Sequence, residues 1–318
     1  MATWTNLSVR PEAPRTADKL SRMTVIVGAN QYGKAEVRMA TVTRTPDRHE
    51  LCDLNVGITL SGDLEDVHVT GDNANVLPTD TQKNTVFAFA KQAPVGQIEE
   101  FALRLGRHFV SDYDSIHRAR VHIETSIWER IKVNGRPHPH AFRQTGSELR
   151  TATAVCESDS EWVISGIQDL VVLKTSGSEF TGFIEDRYTT LQETRDRILS
   201  TAVTARWRHL GVEVDWRESF RDARSLLLAR FADTHSLSLQ QTLYAMASAL
   251  IEGRPEIVEV RMSMPNRHHF VVDLEPFGLE NDNEIFRVED RPYGLIEASV
   301  LQADAPPPGP AWEPYPLL

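Results

Sequence analysis

Apolar residues recur along the chain first at every second position and then at every third or fourth, and this succession occurs twice. In the first half, the alternation over residues 54–60 is typical of a half-buried antiparallel strand. Apolar residues over 98–109, spaced by three and four, predict an amphipathic helix. Further strands are predicted over residues 23–27, 37–43, 149–156 and 162–174.

The second half follows the same order. Two apolar stripes, over residues 220–231 and 239–250, predict helices, and Ser238 with Gln241 has the spacing of a capping box before the second one. Strands are predicted over residues 203–207, 212–216, 257–264, 268–274 and 295–300. Strands, then helices, then strands again predict an α+β fold, with antiparallel sheets and helices packed on one face.

The composition is that of a folded, acidic protein. The chain has 318 residues, enough for two domains of ordinary size, and 34 Lys and Arg against 45 Asp and Glu give a net charge of −11. An acidic surface does not favour nucleic acid or anionic lipid as a partner. An anionic substrate would therefore need a local basic pocket. Cys52 and Cys156 are too few and too isolated for a thiolate-rich zinc site and are predicted to be free thiols.

The two ends differ in composition from the rest. Residues 1–22 are polar without a period and residues 303–318 are rich in Pro, so both are predicted to be flexible or draped on the surface. Trp312 and Tyr315 are aromatic residues that would allow the Pro-rich C-terminal segment to dock on the same subunit or on a neighbouring one. There is no apolar stretch typical of a signal peptide, no run near the roughly 18 apolar residues of a membrane span, and no C-terminal peroxisomal address. A cytoplasmic location without a membrane partner is expected.

Common cofactor and metal motifs are missing from the sequence. It contains no Gly-rich phosphate loop, no GxSxG elbow, no HExxH and no CxxC. His138 and His140 have a metal-like spacing, but no third ligand is evident and a solvated loop is favoured. The adjacent His268 and His269 are not expected to point into one site, because neighbouring side chains of a strand alternate between faces.

Five polar clusters lie beside the predicted strands, and each alone is better explained as a turn with satisfied side chains. They are YGKAEVR (32–38), LPTDTQKNT (77–85), GSEFTGF (177–183), YTTLQETRDRIL (188–199) and SMPNRHHF (263–270). Together and in this order they resemble the urate oxidase family. The resemblance extends from about residue 28 to residue 300 and includes QYGK, PTDTQKNT, SEFxGFxxDxYTTLQETxDRIL, HSLxLQQT, MPNxHHF and DRPYGLIEA.

The resemblance implies a fold and an assembly. Each subunit would contain two tunnelling-fold domains, here residues 23–160 and 161–302, each with a four-stranded antiparallel sheet and two helices on its outer side. Dimers would close a barrel of strands, and two stacked rings would form a homotetramer with a central tunnel. The active sites would lie at subunit interfaces, where one chain alone cannot complete the pocket.

The resemblance also implies a clamp for urate. Arg197 and Gln240 would face the ring oxygens and nitrogens, because a guanidinium presents two parallel donors to a planar anion. The N-terminus of the helix that follows Ser238 would add partial positive charge. Phe180 would stack on the purine face.

Four further residues would complete the substrate pocket. Leu191 and Leu239 would form apolar walls, although Leu239 stands where the family often has the smaller Val. Asp80 would contribute its backbone N–H, and Thr79 both its backbone and its hydroxyl. Both of these residues would come from the neighbouring subunit.

The catalytic group implied by the resemblance is a proton relay of Lys34, Thr79 and His268, with Asn266 and Thr79 holding dioxygen or water. Dioxygen is a ground-state triplet and reacts slowly with closed-shell molecules unless electrons move singly. Deprotonated urate gives up one electron readily, so the protein need only stabilise the anion, remove protons and hold dioxygen. The expected reaction converts urate, dioxygen and water to 5-hydroxyisourate and hydrogen peroxide, with no cofactor.

Two other interpretations are open. One is a tunnelling-fold enzyme for a pterin or a guanine nucleotide, several of which need zinc held by Cys and His, and this chain lacks a convincing ligand set. The other is an inactive homologue with a binding or structural role. The intact site positions argue against it: Lys34, Thr79, Asp80, Arg197, Gln240, Asn266 and His268.

Overall fold

The computed structural model describes residues 25–313, so the predicted N-terminal extension and Tyr315 lie outside the described residues. The strands are β1 (Tyr32–Arg44), β2 (His49–Gly62), β3 (Ile116–Val133), β4 (Arg136–Glu157), β5 (Glu161–Lys174), β6 (Leu199–His209), β7 (Ile257–Ser263), β8 (Asn266–Val271), β9 (Phe286–Gly294) and β10 (Glu297–Leu301). The helices are α1 (Glu65–Val69), α2 (Thr79–Gln92), α3 (Ile98–Ser111), α4 (Trp216–Asp233) and α5 (Leu239–Gly253).

The named strands form one antiparallel sheet in the order β1-β2-β3-β4-β5-β6-β7-β10, and β8 joins β6 to β9 beside this path. Helix α2 packs on β1 and α3 on β3 and β4, while α4 packs on β5 and α5 on β7 and β10. The α+β class predicted from the order of strands and helices is confirmed.

Two apolar cores lie between the helices and the sheet. The first contains Phe101 and Phe109 of α3 against Ile58 of β2, and the second contains Leu243 of α5 against Trp207 of β6. The division into domains at residues 160 and 161 stays a prediction.

Cys156 is a buried free thiol of the first core, and burial raises its pKa to about 12. Cys52 is a half-buried free thiol whose pKa burial raises to about 11.

Elements with a clean apolar period match the structure. The stripes over 98–109, 220–231 and 239–250 lie on α3, α4 and α5, and the alternation over 54–60 lies within β2. The pattern does not reveal α2, because only Gln82 and Val86 of that helix are buried.

Two predicted strands are wrong. Residues 212–215 form no strand, and Trp216 begins α4, where the Asp215 carboxylate accepts the Glu218 N–H at 2.9 Å as a helix cap. Trp216 fits the apolar alternation of residues 212 and 214 because its ring is also buried, but it is buried at the start of a helix, against His209. In the predicted strand over 23–27, the described residues 25–27 pair with no strand.

The described part of the Pro-rich tail docks on the face of the sheet opposite the helices. Arg120 of β3 donates to the carbonyls of Pro310 at 2.6 Å and Ala311 at 3.2 Å, and both of these tail residues are buried. The guanidinium of Arg261 lies 4.1 Å from the ring centre of Trp312. Docking on the same subunit, one of the two outcomes expected for Trp312, is therefore observed. In residues 25–313 no helix is long and apolar enough to cross a membrane.

Candidate active site

Seven of the ten residues named as site candidates line one cavity of about 800 Å³ in the second half of the chain, here termed the clamp cavity. They are Phe180, Leu191, Arg197, Leu239, Gln240, Asn266 and His268. The loops after β5 and before β6, the N-terminus of α5 and strand β8 supply them. The other three, Lys34, Thr79 and Asp80, do not line it.

A short stretch of main chain, residues 177–180, holds the recognition segments in place. On one side, Phe180 and Thr194 exchange backbone hydrogen bonds of 2.8 and 3.1 Å, and the Arg197 N–H donates to the Ser178 carbonyl at 2.8 Å. On the other side, Ser178 forms a parallel bridge with Ser236, just before α5. The three segments that carry Phe180, Arg197 and Gln240 are thus joined by main-chain bonds.

Arg197 is the cation of the clamp cavity. Its guanidinium carbon lies 5.2 Å from the ring centre of Phe180, and its Nε is buried without a partner in the described part of the chain. Burial lowers the pKa of Arg197. A guanidinium stays charged in proteins, so the cavity holds a partly desolvated cation with an unused donor, suited to a planar anion.

Helix α5 begins at the wall of the cavity. The Ser238 hydroxyl accepts the Gln241 N–H at 3.2 Å, as a helix cap does. The Gln241 amide oxygen does not return to Ser238 and instead accepts the Leu237 N–H at 2.8 Å, so the capping box is incomplete. Leu239 is buried, whereas Gln240 is exposed in the first turn, where the helix dipole favours negative charge.

Strand β8 places Asn266 and His268 at the cavity. Burial, and to a lesser extent the positive charge of Arg197, lower the pKa of His268, which favours its neutral form. His269 also lines the cavity, contrary to the expected alternation of faces. Strand β8 pairs with β6 only at Asn266, where it bonds to Thr201, and beyond that point its edge is open, so the cavity extends around the strand.

The first half of the chain carries a second polar cluster. Lys34 lies on β1, and Thr79 and Asp80 begin α2. The Leu77 N–H donates to the Tyr32 hydroxyl at 2.9 Å, which ties β1 to the start of α2. At Gly33, next to Lys34, a Cβ would lie 1.8 Å from the Ile58 carbonyl oxygen, so β1 and β2 approach more closely here than any side chain would allow.

Asp80 is exposed, with its carboxylate directed along its own helix. Lys83 and Asn84 both donate to it, Asn84 at 3.0 Å. The hydrogen bond from Lys83 lowers the pKa of Asp80, and the charges of Lys83 and Lys34 act in the same direction. With its side chain engaged in this way, Asp80 has its backbone N–H left to offer at the helix N-terminus.

One chain does not bring the two clusters together. Lys34 lies on β1, at one edge of the sheet, whereas the clamp cavity lies beside β6 and β8. Five strand-to-strand steps separate β1 from β6, which is roughly 24 Å along the sheet at about 4.8 Å a step.

Some residues of the cavity could not be identified from their motifs. Asp196 lines it, and its carboxylate accepts the Ser176 hydroxyl and the Gly177 N–H, each at 3.0 Å, which fixes the loop before Phe180. Its position next to Arg197 is the one sequence signal for this role.

Within residues 25–313, no group of three or more His, Cys, Asp or Glu side chains could hold a metal ion.

The chain is similar to known proteins over most of its length. A family model described as Uricase matches residues 30–155 and 163–297. The uricase of Arthrobacter globiformis is 51% identical over 297 residues, which are 93% of this chain and 97% of that protein. The uricase of Dictyostelium discoideum is 37% identical over 278 residues, or 86% and 96% of the two chains. The crystal structure of the Arthrobacter globiformis uricase has a TM-score of 0.87 at 52% identity, covering 91% of this chain and 99% of that one.

Proposed function

This chain belongs to the uricase family and is an oxidoreductase that acts on urate, and we propose that it converts urate, dioxygen and water to 5-hydroxyisourate and hydrogen peroxide without a cofactor. The observation that carries the proposal is the clamp cavity. It brings a partly desolvated guanidinium, an aromatic ring and an exposed amide to one place inside an acidic protein. The guanidinium supplies the local positive charge that a planar anion requires.

The clamp acts through complementary groups. Arg197 would donate two parallel hydrogen bonds to urate, and Gln240 would add one donor and one acceptor from the first turn of α5. Phe180 would stack on the ring face, and Leu191 and Leu239 would exclude water from its sides. A purine monoanion gains from this site both charge pairing and burial of its faces.

The chemistry requires proton transfer beside the bound ring. Electrons pass singly from the urate anion to dioxygen, a hydroperoxide forms at ring carbon 5, peroxide leaves, and water adds at that carbon. Lys34, Thr79 and His268 would relay the protons, because a hydroxyl both donates and accepts and an imidazole exchanges protons near neutral pH. Asn266 and Thr79 would hold dioxygen or water above the ring.

The separation of the two clusters supports a shared site. Lys34, Thr79 and Asp80 would reach the clamp cavity of a neighbouring subunit, since they lie at the opposite edge of their own sheet from it. We propose a homotetramer in which two domains per chain, residues 23–160 and 161–302, close barrels around a central tunnel. The duplicated order of strands and helices supports the two domains.

The test is to mix the full-length protein with urate in a strong chelator and to follow the urate absorbance band and peroxide together. Equal amounts of urate lost and peroxide formed are expected, with no visible flavin, haem or copper absorbance. Activity that returns only with an added metal would refute cofactor independence and favour a zinc-dependent relative. A protein that leaves urate untouched would be the inactive homologue.

A further inference from the structure

Glu179 and His235 form a side-chain hydrogen bond between two segments of the clamp cavity. The Nε2 atom of His235 lies 2.7 Å from an oxygen of the Glu179 carboxylate. Glu179 directly precedes Phe180, and His235 stands five positions before Gln240. The pair thus joins the segment with the aromatic wall to the segment with the clamp amide, although neither residue lines the cavity itself.

Main-chain hydrogen bonds run beside this pair and make it part of one frame. The Glu179 N–H donates to the Ser236 carbonyl at 2.8 Å, and the Ser236 N–H donates to the Gly177 carbonyl at 2.9 Å. A side chain that pulls residues 179 and 235 together therefore acts directly on the spacing of the two recognition segments.

The charge of Glu179 is shielded from solvent. Only 19% of its side chain is exposed, against 60% for His235. A carboxylate in that position is screened by water less than a surface carboxylate. Without its hydrogen-bond partner it would be a less well solvated negative charge next to a pocket that receives an anion, and like charges disfavour each other at short range.

We propose that Glu179 and His235 are positioning residues for urate, which set the spacing between Phe180 and Gln240 through their hydrogen bond. The inference rests on the proposed function. A displacement of about 1 Å in a positioning group is enough to impair a site. Because His235 is exposed, its loss is expected to change the fit of urate more than the stability of the fold.

The test compares the full-length wild type with Glu179→Ala, His235→Ala and the double variant. Steady-state assays give kcat and KM, and urate binding without dioxygen gives Kd. KM and Kd should both rise roughly three- to tenfold, with kcat within about twofold, and the double variant should be no worse than the poorer single one. Glu179→Gln keeps an acceptor for His235 and should recover most of the loss.

His117→Ala is the matched control, because His117 is also 60% exposed and faces Asp63 at 3.2 Å. It should change neither constant. The inference is overturned if KM and Kd of the Glu179 and His235 variants equal those of the control, or if their losses simply multiply. A wild type that neither binds nor consumes urate would refute the proposed function instead, so the two failures are distinguishable.

Discussion

Glu36 and Asp169 occupy equivalent bulges in the first strand of each half of the chain. Both have left-handed backbones, with φ of 57° and 56°. In β1 the pairing shifts between Lys34 and Val37, and in β5 it shifts in the same way between Ile167 and Leu170. The duplication thus extends to a local irregularity, and Lys34 corresponds in position to Ile167. The bulge lies next to Lys34, so we expect it to set the direction in which this amine leaves the strand.

The first prediction concerns this bulge. Glu36→Val should destabilise the fold by about 1–2 kcal/mol, because a β-branched residue is strained in the left-handed region. It should also lower turnover by displacing Lys34, whereas Glu36→Gly should retain both properties. Asp169→Val is the matched control: thermal unfolding should show a similar loss, with kcat unchanged. Equal kcat in the two Val variants would mean that the β1 bulge does not position Lys34.

The apolar pattern of the sequence determines part of the fold. Helices α3, α4 and α5 follow from apolar stripes, because one face of each is buried. Strand β3 is not among the predicted strands, although its residues 118–123 alternate between polar and apolar; Arg118 and Arg120 lie on its polar side and bond to the C-terminal tail.

The site could be predicted only in part. Short motifs identified the candidate residues through their resemblance to a family. Their division into two clusters depends on the strand order, which no local pattern specifies. The Glu179–His235 contact joins residues 56 positions apart, and neither stands out in its own motif. Contacts of this kind are set by packing and not by local sequence.

The second prediction concerns the clamp. Arg197→Lys keeps the charge but loses the planar fork, so urate binding should weaken by roughly 1–3 kcal/mol, the scale of a charge-assisted hydrogen bond. Equilibrium binding without dioxygen measures this directly. An unchanged Kd would make Arg197 a structural residue that supports Phe180.

The third prediction concerns acid stability. His209 is buried, its Nε2 lies 3.0 Å from the Ser165 hydroxyl, and that hydroxyl donates to Glu99 at 2.7 Å. Burial lowers the pKa of His209 to about 3. An unfolded His has a pKa of about 6.5, so between pH 6.5 and 3 the unfolded chain binds more protons and stability falls as the pH falls. From pH 7 to 5 this amounts to roughly 2 kcal/mol.

His209→Gln removes that titration, and denaturant unfolding at pH 7 and pH 5 measures the difference. Burial raises the pKa of Glu99, which acts in the opposite direction, but Glu99 is present in both proteins and its effect is common to both. The variant should therefore lose less stability on acidification than the wild type. The exposed-residue control His117→Gln should lose as much stability as the wild type. The same loss in the wild type and in His209→Gln would show that His209 is not the group responsible.

The last prediction tests whether the site is shared between chains. Lys34→Met and Gln240→Ala should each be nearly inactive, because each removes one of the two clusters. If a site combines the clamp of one chain with the Lys34 cluster of another, a hybrid oligomer contains some sites with both clusters intact. With equal amounts and random assembly, about one site in four is complete, since each half is intact with a probability of about one half. Co-refolding the two variants should thus restore roughly a quarter of the wild-type activity.

Co-refolding Arg197→Ala with Gln240→Ala is the control, because both changes break the same half and every site stays defective. No recovery in the first mixture, with hybrid oligomers demonstrated by two different tags, would mean that both clusters act within one chain. Equal recovery in both mixtures would mean that these residues do not divide into two halves of a site.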